Sequence, residues 1–236
     1  KRRAARKAAP KEPAPDPFPQ DAAPCLATLA AAAPEGPEWI HEIKWDGYRL
    51  LALRRSGRVR LLTRNGHDWT ARFPAVAAQV QRLPGGDCIL DGEAVVLDGA
   101  GASDFSALQE ALADGKAADA AVLFAFDCLY ADGRDLRPLP LLERKERLAA
   151  LLEGAQHQVR LSDHLAGDGT AMIRHACRIG LEGIVSKRAD RPYRSGRRED
   201  WLKVKCTQRD EFAVLGYAPS SVTRRAVGSL LLGYRS

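Results

Sequence analysis

Polar and apolar positions alternate over several stretches of this chain. Trp39, His41, Ile43 and Trp45 interleave with Ile40, Glu42, Lys44 and Asp46, the two-residue period of a strand, so Glu42 and Lys44 share one face. The alternation runs on through Arg49 to Arg54, breaks at Ser56-Gly57 and resumes from Val59 to Thr63. That predicts a hairpin ending at Asn65-Gly66. Phe73, Val76, Val80 and Leu83 then fall at helical spacing, with Asp68 or Thr70 as candidate cap and Pro84-Gly85-Gly86 as the stop. Strands are expected at Cys88 to Leu97 and Ala121 to Tyr130, with a short helix after Ser103 between them. Pro140 opens a helix carrying Leu141, Leu148, Leu151 and Leu152 that Gly154 ends. A helix from Thr170 to Arg178 precedes strands at Gly183 to Lys187, Trp201 to Cys206, Glu211 to Tyr217 and Ser229 to Tyr234.

Strands and helices mixed without strict alternation point to an α+β fold with largely antiparallel sheets. The 236 residues suffice for one large domain, or one domain and a fragment of a second. Residues from about Arg209 onward read as a new small β unit, too short to bury its own core. Apolar residues at 45% and charged residues at 28% exclude collagen, a disordered tail protein and a small disulfide-held scaffold. Five widely spaced cysteines, Cys25, Cys88, Cys128, Cys177 and Cys206, form no Cys-x-x-Cys pair. No disulfide framework or zinc site is expected, and a reducing compartment is. The longest apolar run, Leu26 to Ala33, is too short to span a membrane. The start, basic and then rich in proline from Pro10 to Pro19, reads as an extended linker over residues 1–22 and not as a secretory signal. Residue 1 is Lys rather than Met, which suggests a piece of a larger protein.

The formal charge of +6 sits in that linker, because the first eleven residues hold six bases and no acid. The remainder is neutral but segregated. Six arginines and no acid lie between Gly47 and His67, nine bases face three acids between Gly183 and Arg209, and eight acids face one lysine between Asp87 and Asp119. This pattern suits a basic surface for a polyanion beside an acidic cluster for a metal ion.

Neither a P-loop nor a dinucleotide fingerprint is present. The strongest local signal is Lys44-Trp45-Asp46-Gly47-Tyr48-Arg49. A lysine at a strand end, followed by a turn that brings Arg49 back beside it, is a nucleophile candidate once neighbouring cations lower its affinity for its proton. On its own the motif also suits a surface lysine beside a hairpin. Three further segments change that balance. Asp91-Gly92-Glu93 puts two carboxylates on the Ile89 face of a strand, an odd place unless something cationic is bound. Glu182 stands at the mouth of the apolar strand that ends in Lys187, and Lys203 and Lys205 share one face of another strand. Acids for Mg²⁺ and lysines for phosphate make a set for phosphoryl or nucleotidyl transfer.

Taken in order, Lys44-x-Asp46-Gly47-x-Arg49, Asp91-Gly92-Glu93, Glu182-Gly183-Ile184-Val185-x-Lys187 and Lys203-Val204-Lys205 resemble nucleotidyltransferase motifs I, III, IV and V of ATP-dependent DNA ligases and mRNA capping enzymes. Thr63 to Pro74, Asp104 to Gln109 and Tyr193 to Gly196 look most like the ligase D branch, the bacterial end-joining ligases. The resemblance covers about Cys25 to Ser236. It implies a nucleotidyltransferase (ATP-grasp-like adenylation) domain of antiparallel sheets flanked by helices over residues 23–208. The first strands of an incomplete OB-fold would follow over residues 209–236.

The resemblance further implies that Lys44 attacks the α-phosphorus of ATP and carries AMP, which passes to a DNA 5′-phosphate before a 3′-hydroxyl displaces it. Glu42 and Ile43 would lie at the adenine, Arg49 and Arg64 near the ribose and phosphates, and Glu93 at the ribose or a metal. Phe126 would stack on adenine, Glu182 would bind Mg²⁺ or Mn²⁺, and Lys203 and Lys205 would grip the α-phosphate with help from Lys187. Implied partners are nicked or broken double-stranded DNA, end-binding repair proteins and a fused or separate polymerase domain, in the bacterial cytoplasm at the nucleoid. The chain departs from the family in lacking a complete OB-fold with motif VI, so slow self-adenylation is expected. Two alternatives stand beside this reading: a capping-type guanylyltransferase or RNA ligase, and a noncatalytic nucleic-acid-binding module.

Overall fold

The structure, a computed structural model, describes residues 18–19, 21–154, 157–206, 212–223 and 226–233. Most of the predicted linker and the strand ends at Glu211 and Tyr234 lie outside these residues. Two units divide the chain, Lys1–Cys206 and Thr207–Ser236.

In the first unit the elements follow in the order β1 (Cys25–Leu29), β2 (Trp39–Ile43), β3 (Tyr48–Arg55), β4 (Arg58–Thr63), α1 (Pro74–Arg82), β5 (Cys88–Val95), α2 (Phe105–Ala111), β6 (Val122–Ala131), β7 (Arg134–Asp135) and α3 (Leu141–Leu151). They continue with β8 (Val159–Leu161), β9 (His164–Ala166), α4 (Gly169–Arg178), β10 (Gly183–Arg188) and β11 (Gly196–Lys205). One sheet runs β4-β3-β5-β6-β7, with β8 beside β6, and the other runs β1-β11-β10-β2-β9. Strand pairing is antiparallel except for β1 with β11 and β6 with β8.

Alternation decides which core each strand feeds. Leu50 and Ala52 of β3 and Leu90 of β5 pack with Phe73, Val76 and Val80 of the α1 region and with Leu108 and Leu148. Leu51 and Ile89, one residue out of phase, turn to the opposite face and meet Phe126, Leu129, Tyr193 and Trp201. Each of the ten residues of β6 is buried, as expected of a strand covered on both faces. A pocket lined by Phe126 and Trp201 of this second core and by residues of both sheets opens there.

Several predicted boundaries move, each for a local reason. Helix α1 begins at Pro74, whose fixed φ suits a first turn; Asp68 accepts instead from the Thr70 amide and hydroxyl. The caps elsewhere are Asp104 for α2 and Asp168 for α4, each accepting from the amide three residues on. The expectation of no disulfide is overturned, since Cys177 of α4 is bridged to Cys206 just past β11. The pairing links partners 29 residues apart that meet only after β11 has returned across the sheet. Cys25, Cys88 and Cys128 are buried thiols.

The second unit is a hairpin of β12 (Ala213–Pro219) and β13 (Val227–Gly233), paired antiparallel. Val214, Leu215, Tyr217, Leu230, Leu231 and Leu232 on it are exposed. Among the described residues no helix is long and apolar enough to cross a membrane.

Candidate active site

The end of β2 sets the position of Lys44. Ile43 pairs with Ile184 of β10, and the Lys44 amide, one residue further, donates to the Gly183 carbonyl at 3.0 Å. Two glycines allow this junction. A Cβ at Gly47 would sit 2.1 Å from the Ala94 carbonyl oxygen, and one at Gly183, where φ is +147°, would sit 2.1 Å from the Val204 oxygen. Both approaches exclude any side chain.

Lys44 Nζ is ion-paired with Glu182 Oε2, and Glu182 Oε1 is 2.8 Å from Lys205 Nζ. Burial raises the Glu182 carboxyl, but the hydrogen bonds from Lys205 and Lys44 outweigh it and hold its pKa below the ordinary value. Lys203, opposite Val185 in the ladder, has its pKa lowered by burial and by the charges of Lys44 and Lys205. Burial and the Glu182 charge push Asp46 the other way, upward. A carboxylate thus ties two lysines together beside a third.

Deeper in the pocket, Arg49 forks onto the buried Asp91, Nε to Oδ1 at 2.5 Å and Nη2 to Oδ2 at 2.7 Å. The Tyr193 hydroxyl donates to the same carboxylate at 2.5 Å. Asp91 therefore has its cation inside the protein, which answers the oddity of a carboxylate on that strand face. Burial would lower the Arg49 pKa, but Asp91 holds it raised, so the guanidinium stays charged. It lies 4.3 Å from the centre of the Phe126 ring. Glu93, across the ladder from Arg49, has its pKa pushed up to about 7 by burial, against the pull of Arg49 and Lys44.

Buried charges occupy the far end. Glu42 Oε1 lies 3.0 Å from Lys145 Nζ and 2.9 Å from Lys187 Nζ. Burial raises the Glu42 carboxyl and the two lysines more than reverse this, so it is held anionic. Lys187 Nζ also stands 4.2 Å from the ring centres of both Phe126 and Trp201. Burial brings its pKa down to about 8, with Glu42 opposing.

Of the residues named from the sequence, Glu42, Ile43, Lys44, Arg49, Arg64, Glu93, Phe126, Lys187 and Lys203 line one pocket. Glu182 and Lys205 reach it through Lys44. Lys187 lines the same pocket and is ion-paired with Glu42. Sequence reasoning passed over Asp91 as an internal anchor, named Tyr193 only as part of a family segment and not as its hydrogen-bond partner, and passed over Arg144 and Lys145 altogether. Arg144 forks onto Asp127, both bonds at 2.7 Å, and so fixes the residue next to Phe126. The available signal was that Lys145 interrupts the apolar stripe of α3 between Leu141 and Leu148.

Among the described residues no group of three or more His, Cys, Asp or Glu side chains is arranged to hold a metal ion. Mg²⁺ commonly takes one or two carboxylates and fills its shell with water and phosphate oxygens. Glu93 and Glu182 fit that pattern: both are hard oxygen donors, and the half-buried Glu93 would gain charge compensation from a cation.

The fold is that of a nucleotidyltransferase-type adenylation domain. The chain belongs to the ATP-dependent DNA ligase family, whose model, described as ATP dependent DNA ligase domain, matches residues 20–205. It is 46% identical over 222 residues to the multifunctional non-homologous end joining protein LigD of Pseudomonas aeruginosa, covering 93% of this chain and 26% of that protein. Among solved structures, it resembles a mycobacterial DNA ligase D complexed with ATP and MES (36% identity, TM-score 0.69, 89% of this chain and 67% of that one). It also resembles the ligase domain of Mycobacterium tuberculosis LigD (35% identity, TM-score 0.68, 91% and 68%). The chain spans about a quarter of the length of the curated LigD relative.

Proposed function

We propose that this pocket is the adenylation site of an ATP-dependent DNA ligase acting in bacterial end joining. Lys44 Nζ attacks the α-phosphorus of ATP, the bond from that phosphorus to the bridging oxygen breaks, and pyrophosphate leaves. AMP stays on Lys44 as a phosphoramidate, moves to a DNA 5′-phosphate, and is displaced by a 3′-hydroxyl as the strand is sealed. The observation that carries this reading is the chain of charges Lys44–Glu182–Lys205 beside Lys203 at the pocket. It offers a primary amine, an acceptor for its proton at Glu182 Oε2, and cations to meet the charge on the transferring phosphoryl group.

The other residues take supporting parts. Glu42 faces the adenine edge, Phe126 its ring, and Arg49 and Arg64 the ribose and phosphates. Glu93 and Glu182 would hold Mg²⁺ or Mn²⁺, which when bound neutralises charge on the triphosphate. DNA, end-binding repair proteins and a polymerase domain are the partners this reading requires.

Intact mass after incubation with ATP and a divalent cation tests it. One AMP should add to the wild-type chain and none to Lys44→Ala, and GTP should label far less than ATP. A Lys44→Ala chain that still gains AMP sinks the assignment, and preferential labelling by GTP would turn it toward a guanylyltransferase.

A further inference from the structure

The residue that no motif accounts for is Lys145. It is 3% exposed, and all three of its ammonium protons have an acceptor: Glu42 Oε1 at 3.0 Å, the Ser162 carbonyl at 3.0 Å and the Phe126 carbonyl at 3.5 Å. These acceptors come from three places. Glu42 belongs to β2 in one sheet, Phe126 to β6 in the other, and Ser162 follows β8. Lys145 thus pins together, from behind, two of the residues that shape the inner end of the pocket.

The geometry at Glu42 gives this a chemical consequence. Both lysines bind the same oxygen, Oε1, so the carboxylate has a fixed orientation in which Oε2 is the oxygen they leave to other partners. An anionic carboxylate only accepts hydrogen bonds. It therefore suits a purine with an amino group at position 6 and repels one with a carbonyl there, because an acceptor facing an acceptor leaves buried polar atoms unpaired.

We propose that Lys145 is a positioning residue for base selection: it fixes the Glu42 carboxylate, and the Phe126 backbone behind the stacking ring, so that the pocket takes a 6-aminopurine nucleotide. The inference rests on the reading of this pocket as an ATP site. Lys145 touches no reacting group, and its effect passes entirely through Glu42 and Phe126.

The experiment compares lysyl-nucleotide formation by wild type and Lys145→Met with ATP and with purine riboside triphosphate, which lacks the 6-amino group. For wild type, kcat/KM for ATP should exceed that for the analogue by tenfold or more, roughly the strength of one hydrogen bond to a charged group. In Lys145→Met that ratio should fall to about one, through a rise in KM for ATP that exceeds any rise a shifted Phe126 causes for both nucleotides. A variant that keeps the wild-type ratio overturns the proposal, and so does one that loses activity with both nucleotides equally through kcat. Should Lys145→Met fail to fold, Lys145→Arg replaces it. A guanidinium cannot place its donors on all three acceptors, so the ratio should drop about threefold or more, and an unchanged ratio overturns the proposal. Failure of the wild-type chain to label with ATP would instead count against the adenylation site itself.

Discussion

Lys187 shows what burial does to one charge. Its ammonium is 2% exposed, faces two aromatic rings and shares Glu42 with Lys145. Burial outweighs the attraction of Glu42 and brings its pKa to about 8, well below that of a lysine in an unfolded chain. Between pH 8 and about 10.5 the unfolded chain therefore binds a proton that the folded chain has released, so the Lys187 contribution to stability rises with pH across that window. Below pH 8 the charge is present in both states, and the folded state bears the cost of burying it. Lys187→Met removes the term. In urea melts, wild type should gain on the order of 1–2 kcal/mol over Lys187→Met between pH 8 and pH 10. Parallel pH curves for the two proteins would show that the ammonium is not held as described.

At the scale of elements, α4 and the end of β11 are joined by the Cys177–Cys206 bridge and by a shared apolar cluster with Ala176 and Val204, beside the hydrogen bond from the Cys206 amide to the Glu182 carbonyl at 2.9 Å. Lys205 is the residue before Cys206, so the bridge also anchors a lysine of the site. Closing a loop of 29 residues stabilises a domain by about 3.6 kcal/mol in the chain-entropy account. Reductant, or Cys177→Ser, should lower the denaturation midpoint accordingly; equal midpoints with and without reductant would count against the bridge. The same elements show what was legible beforehand. Strands β2 and β3 could be read from the alternation of residue types along the chain, although three consecutive residues are buried in each, and the motif residues share pleat faces of those strands. Strand β1 could not, because its partner β11 lies about 170 residues away and its mostly apolar sequence, interrupted only by Thr28, shows no two-residue alternation. Strands β8 and β9, of three residues each, are too short to show a period. Lys145 and Arg144 escaped because a charge on an apolar stripe looks like a defect until its tertiary partner is seen.

Across the whole molecule, the two basic segments leave fewer free cations for the proposed DNA substrate than their composition suggests. Of the six arginines from Gly47 to His67, Arg49 is committed to Asp91, and Arg60 pairs with Asp68. Arg54 is buried against the carbonyls of Leu83, Pro84 and Gly86 behind α1. In the later segment Lys187 is internal, and Arg188 and Arg191 share Asp190. Arg55, Arg58, Arg64, Arg194, Arg197 and Arg198 are exposed and enter none of the described ion pairs, and Arg64 and Arg197 also line the pocket. Each phosphate contact contributes about 0.9 to the slope of log affinity against log salt. Sequence-independent binding to nicked duplex should therefore show a slope of at most about 5 from these six. Counting every base in the two segments would predict a far steeper one. Arg64→Ala combined with Arg197→Ala should reduce the slope by about 2. Arg54→Ala should leave the slope alone and lower stability instead, because it strips a buried guanidinium from the carbonyls it satisfies. Fluorescence anisotropy between 50 and 300 mM salt, on the order of the range where such slopes are resolved, separates these outcomes. A slope that falls with Arg54→Ala but not with the pocket pair would place the DNA on the face behind α1, away from Lys44.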